Sequence, residues 1–222
     1  MIIAYKDIIN KQLKSQSISI LELFITIKEP NIRYLALECV ASFSNLPYSE
    51  VIIQEKLESI LVSLRDKDIS LRRRALDILY LLCTAQIAER IIEELITYSS
   101  EAALQIKEEL VLKIIILAEK FSEDILFYID VVVRLVETSG NFITEEIWYR
   151  IIQIISGFGK EQNNELQKIC ANRLYRALNI PHVHETLVKI GSYILSEYGV
   201  KLNKDPFKIF DVIHRHFDSC TP

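Results

Sequence analysis

Glycine and proline are scarce, five of each in 222 residues, and no glycine precedes Gly140. A sandwich or barrel needs a turn signal every few residues, so this shortage argues against an all-β chain. Long hydrophobic runs are missing too: Lys113, Asp130 and Arg134 break the best candidates for a membrane span. The opening MIIAYKDIINKQLK carries Lys6, Asp7, Lys11 and Lys14, and therefore lacks the apolar core of a signal peptide. Positive charge is not in excess. A formal net charge of -4 and a pI near 5.7 exclude a global field that would gather nucleic acid. Cysteines are few and scattered (Cys39, Cys83, Cys170, Cys220), with no CxxC pair, which predicts reduced thiols rather than a disulfide framework. These absences together predict a soluble cytosolic protein.

What is present is apolar: half of all residues, against a quarter charged, a balance that disorder does not tolerate. Apolar spacing is helical almost throughout. In DISLRRRALDILYLLC, Leu71, Ala75, Leu79 and Leu82 form one stripe, widened by Leu76, Ile78 and Cys83 as for a helix with more than one neighbour. Start signals agree with this. Asn31 after Pro30, Asn179 near Pro181, and Asp205 before Pro206 each predict a capped helix start. Ser49, Ser122 and Thr144 each precede acids suited to a helix N-terminus. About eleven or twelve helices of ordinary length are expected.

The helices repeat. NIRYLALECV superimposes on SLRRRALDIL, pairing Ile32 with Leu71, Ala36 with Ala75 and Leu37 with Leu76. KEELVLKIIILAEKF superimposes on HETLVKIGSYILSEY, pairing Glu108 with Glu185, Leu110 with Leu187, Val111 with Val188 and Phe121 with Tyr198. TEEIWYRIIQIISGF falls between them. Equivalent positions lie near 32, 71, 106, 143 and 183, in steps of 39, 35, 37 and 40. Two helices per unit at this period predict an all-α, right-handed α-solenoid of HEAT/armadillo-like helix pairs, formed as a single domain over residues 1–222.

The chain's only tryptophan, Trp148, takes the slot held by Val111 and Val188 in the neighbouring units, so it is expected to fill the core. Arg150 lies on another side of that helix and is expected to be solvated or paired with an acid. His182 and His184, like His214 and His216, are spaced by two. On a helix that sends the rings to opposite faces, whereas helical zinc motifs use a spacing of four, so these are expected to be surface or helix-terminal residues. The cluster Arg72, Arg73 and Arg74, with Arg65 and Lys67 upstream, invites an anion contact, but Asp66, Asp68 and Asp77 dilute it towards a solvated face. The acid pairs Glu93–Glu94, Glu108–Glu109 and Glu145–Glu146 recur at helix starts and on exposed faces. No Gly-rich phosphate loop, GxSxG motif or Cys–His pairing occurs. No catalytic, cofactor-binding or metal-binding residue is predicted, no nucleic-acid contact is expected, and the sequence assigns no residue to a partner.

From Asn31 to about residue 200, the repeat wording resembles the trunk of adaptins, the large subunits of clathrin adaptor complexes. NIRYLALE and DISLRRRALDILYLLC resemble successive trunk segments. EELVLKIIILAEKF, EEIWYRIIQII and HETLVKIGSYILSEYG are most similar to the alpha type, the large subunit of the plasma-membrane adaptor complex. The resemblance implies a scaffold, not an enzyme. Its implied partners are the small and medium adaptor subunits and the second large chain, and its implied place is the cytoplasmic side of the plasma membrane at clathrin-coated pits. The family's basic N-terminal region, hinge and appendage have no counterpart here. Residues 1–30 match loosely and GVKLNKDPFKIF drifts, so a middle section of a trunk is expected, meeting clathrin and membrane only through parts outside it. The contrasting expectation is a HEAT scaffold of another kind: another adaptin type, a transport receptor or a phosphatase scaffold. A hydrophobic first segment (Ile2, Ile3, Ile8, Ile9, Leu13) and FKIFDVIHRHF near the other end further predict self-association through terminal helices.

Overall fold

A computed structural model describes residues 11–42, 57–122, 124–157 and 164–220. Among them the regular structure is helical, with no strand. Ile3, Ile9 and the cap at Ser49 lie outside the described residues.

The residues form two compact units, Met1–Glu94 and Leu95–Pro222. In the first, α1 (Lys11–Thr26) packs on α2 (Pro30–Ser42), and α2 on α3 (Ile69–Leu81); residues 57–63 are also helical. The division falls within α4 (Ala85–Glu101). The second unit contains α5 (Leu104–Phe121), α6 (Ile125–Ser139), α7 (Glu145–Ser156), α8 (Asn164–Leu178), α9 (Glu185–Tyr198) and α10 (Pro206–His214). Within it α6 meets α8, α7 meets α9 and α8 meets α10, while α7–α8, α8–α9 and α9–α10 touch as sequence neighbours. Contact with the next helix and the next but one is the pattern of stacked helix pairs.

Apolar period explains each layer. Ile147, Ile151 and Ile155 of α7 are spaced by four and buried, as are Leu187, Ile190 and Ile194 of α9 at three and four. The paired repeat positions share their burial: Ala36 with Ala75, Leu37 with Leu76, and Leu110 with Leu187 are all at most 2% exposed. Ile32, at 38%, does not follow Leu71.

The capping expectations divide. Asp205 accepts from the Phe207 amide at 3.0 Å with Pro206 in the first turn, as expected. Asn31 is not a cap. Proline needs no amide partner, so α2 starts at Pro30, two residues before the Ile32 that an Asn31 cap implies, and the Glu29 carbonyl accepts from Arg33 at 3.2 Å. Ser122 ends α5 instead of starting α6, whose cap is Asp124, 2.9 Å from the Leu126 amide. Asn179 lies past the end of α8, and the cap of α9 is His184, whose Nδ1 accepts from the Thr186 amide at 3.2 Å. Gly157 closes α7 at φ 71°, the left-handed turn that ends many helices.

Polar side chains tie each layer to the next at about one repeat of separation. Ser99 meets Thr138, 39 residues on, at 3.0 Å. Arg150 Nε donates to Glu119 at 3.3 Å across 31 residues, His184 meets Asn141 at 2.8 Å across 43, and His216 meets the Leu178 carbonyl at 2.8 Å across 38. In the first unit, Arg33 pairs with Asp66, 33 residues away, and Arg90 with Glu58, 32 away.

Candidate functional site

Trp148 corrects the core expectation. Its neighbour Ile147 fills the core, but Trp148 is only half-buried and stacks on Tyr149 with ring centroids 4.0 Å apart. The slot fits the valines: Val111 is 0% and Val188 7% exposed. An indole is much larger than a valine side chain and is rarely enclosed completely. Arg150 pairs with Glu119, as expected. Beneath that pair lies Tyr128, buried, its hydroxyl without a hydrogen-bond partner. Burial first, and then the Glu119 charge, push its pKa well above the usual phenol range. Burial also pushes the Cys170 thiol up to about 12, which makes it an inert core group.

The histidines work on the backbone. His184 caps α9 through Nδ1, so Nε2 carries the proton it donates to Asn141. Its ring lies against Gly140, where a Cβ would stand 2.3 Å from Nδ1. His216, 2% exposed, donates to the last carbonyl of α8, an acceptor the helix itself leaves open. Among the described residues no group of three His, Cys, Asp or Glu side chains could hold a metal.

The arginine cluster is largely committed. Arg74 pairs with Glu38 at 2.7 Å and with Asp77 at 3.8 Å, and Arg72 donates to the Asp66 carbonyl. Asp66 also accepts from the Asp68 amide at 2.9 Å and pairs with Arg33. That organises a corner between helices and leaves little open positive surface for an anion. The acid pairs are surface features: Glu145 and Glu146 sit in the first turn of α7, and Glu109 pairs with Lys113 at 2.6 Å.

The surface that stands out is apolar. On α10 and the turn after it, Phe207, Phe210 and Phe217 are 78%, 59% and 73% exposed. His214 stacks between two of them, 5.3 Å from Phe210 and 6.3 Å from Phe217. Phe210, His214 and Phe217 line a groove of about 400 Å³ between α9 and α10, together with Val188 and Ile213. A second hollow of about 350 Å³, bordered by Leu195, Val200 and Pro206, adjoins it. The first groove is lined mainly by apolar side chains, with Lys189, Ser192, His214 and Cys220 among them. The spacing 207, 210, 214, 217 is a helical stripe visible in the sequence, although the groove beside it needs the packing of α9.

Residues 1–222, the whole chain, match the profile of the family described as the Adaptin N terminal region. The chain belongs to the adaptin family. The match also takes in residues 1–30 and the segment after 200, where the resemblance in wording is loose. The AP-2 complex subunit alpha-2 of Dictyostelium discoideum is 38% identical over 213 residues, 94% of this chain and 21% of that protein. The AP-2 complex subunit alpha-1 of Arabidopsis thaliana is 40% identical over 208 residues, covering 92% and 20%. The AP-1 complex subunit gamma of Dictyostelium discoideum is 34% identical over 193 residues, covering 87% and 21%. This adaptin chain thus spans about a fifth of the length of the curated relatives it matches. Adaptins are structural adaptor proteins and not enzymes, and no described helix of this one is long and apolar enough to cross a membrane.

Proposed function

We propose that this adaptin chain is a trunk section of an alpha-type large subunit in an adaptor complex of the AP-2 kind. In that role it holds small and medium adaptor subunits beside a second large chain, for cargo selection in clathrin-mediated endocytosis. The observation that carries this is identity of 38–40% to alpha subunits over more than nine-tenths of the chain. Stacked helix pairs suit the task, because cross-repeat bonds hold a long surface in fixed register for other proteins. The complex works on the cytoplasmic side of the plasma membrane at coated pits, and clathrin and lipid are met by other parts of such a subunit. The whole of residues 1–222 acts as one trunk domain.

Affinity purification of the tagged chain from its own cells, with the bound chains identified by mass spectrometry, tests this reading. Small, medium and second large chains of an AP-2-type complex are expected. Recovery of AP-1-type chains instead would favour another adaptin type, the reading that the 34% identity to a gamma subunit supports. Recovery of no adaptor subunit would overturn both.

A further inference from the structure

Within the second unit, hydrogen bonds tie the turn at residues 140–142 to the start of α9, and two of them run through one imidazole. The Thr186 amide donates to His184 Nδ1 at 3.2 Å, and His184 Nε2 donates to Asn141 Oδ1 at 2.8 Å. The buried Thr186 hydroxyl adds a bond to the Gly140 carbonyl at 3.3 Å. One ring nitrogen thus accepts while the other donates, a combination that only neutral imidazole supplies. The usual capping residues, Ser, Thr, Asp and Asn, keep their acceptor oxygen throughout the range around neutrality. Imidazolium donates from both nitrogens and accepts from neither, so a proton on Nδ1 sets one N–H against another. Turning the ring over brings no relief, because the charged form has no acceptor on either side. His184 is only half-buried, so solvent reaches it.

We infer that His184 is an acid-sensitive latch: neutral, it holds the first turn of α9 on the 140–142 turn, and protonated, it lets go. The latch is independent of the adaptor reading. Histidine ordinarily titrates near about 6.5, inside the physiological range. The cap's contribution is therefore present above that range and is lost as pH falls through it. The charged groups around the seam hold steady there. Glu185 pairs with Lys189 on α9, and Glu145 of α7 acts on the same lysine. Lys107 of α5 stands 5.6 Å over the Phe142 ring, Glu137 lies in the last turn of α6, and Arg176 in the last turn of α8. Carboxylates, amines and guanidinium groups ordinarily keep their charge between about pH 5 and 8. Two other imidazoles lie near this end of α9. His182 is exposed, and His216 donates to the Leu178 carbonyl, a bond that an added proton leaves intact.

Two measurements on the 222-residue chain test it, each made at about pH 7.5 and about pH 5.5, on either side of the histidine range. In a nitrogen-15 NMR spectrum of labelled histidine, His184 Nδ1 should be a bare acceptor at the higher pH and an N–H at the lower. Protection of the Thr186 amide against hydrogen exchange, corrected for intrinsic exchange at each pH, should fall about fivefold, the equivalent of a cap of about 1 kcal/mol. In His184→Asn the side-chain oxygen can cap the helix but takes up no proton, so that protection should stay level. If His184→Asn fails to fold, His184→Ser, another non-titrating cap, replaces it, and the histidine spectrum of the parent needs no variant. An Nδ1 that already carries a proton at the higher pH overturns the inference, as does a ring that stays neutral at the lower. So does Thr186 protection that holds steady in the parent, or that falls equally in the non-titrating variant.

Discussion

The His184 ring packs directly on Gly140. A methyl at Gly140 would meet the imidazole at 2.3 Å, and that ring is fixed by bonds to Thr186 and Asn141. Gly140→Ala should therefore cost about 2–3 kcal/mol in urea unfolding, from crowding and a disturbed helix cap. His184→Ala alone should cost about 1 kcal/mol. In that background, Gly140→Ala should cost far less, and a double-mutant cycle measures the difference. The buried thiol and phenol set an alkaline limit. Both have raised folded-state pKa values, so their contribution is intact below the unfolded values of 9.0 and 10.0 and is lost as pH rises above them. Stability should fall as pH rises past 9 and more steeply past 10, and Cys170→Ala should lessen the first fall. Tyr128→Phe should remove the second and stabilise the fold by up to about 1 kcal/mol, since it deletes a buried hydroxyl that has no partner. Little of this was legible in the sequence. Trp148 shows why: its repeat position predicted a core residue, yet the ring is only half-buried, because how much of an indole is enclosed depends on the helices around it.

Helices as elements were far more legible, because their signals are local. The period of the apolar residues and the Asp205–Pro206 start depend on neighbours along the chain and survive folding unchanged. Ile151, fully enclosed at the centre of the α7 stripe, should cost about 2–5 kcal/mol when truncated to alanine, as read from the denaturation midpoint. Asp205→Ala should cost about 1 kcal/mol through the lost cap on α10. Boundaries were less legible. Several residue types can supply the first acceptor of a helix, and an imidazole at residue 184 takes the capping role that the sequence assigns to Asn179. Arg150 finds its acid 31 residues back, a partner that no local motif announces.

At the scale of the molecule, the period read from sequence reappears as physical linkage. Cross-repeat bonds at Ser99–Thr138, Arg150–Glu119, His184–Asn141 and His216–Leu178 step by 31 to 43 residues, each bracing one layer against the layer a repeat away. Such bracing holds the stacked helices of the second unit in register; family and fold were readable from signals that repeat along the chain, whereas partner-facing residues were not. Recognition on a scaffold is spread over exposed side chains that no motif marks. The most direct test of the trunk assignment is reconstitution: the purified chain is mixed with the AP-2-type small and medium subunits of its own cells and followed by sedimentation velocity. A boundary heavier than the 25.8 kDa chain, containing an adaptor subunit in fixed ratio, is the predicted result. Separate boundaries at every concentration, with both proteins folded, would contradict it.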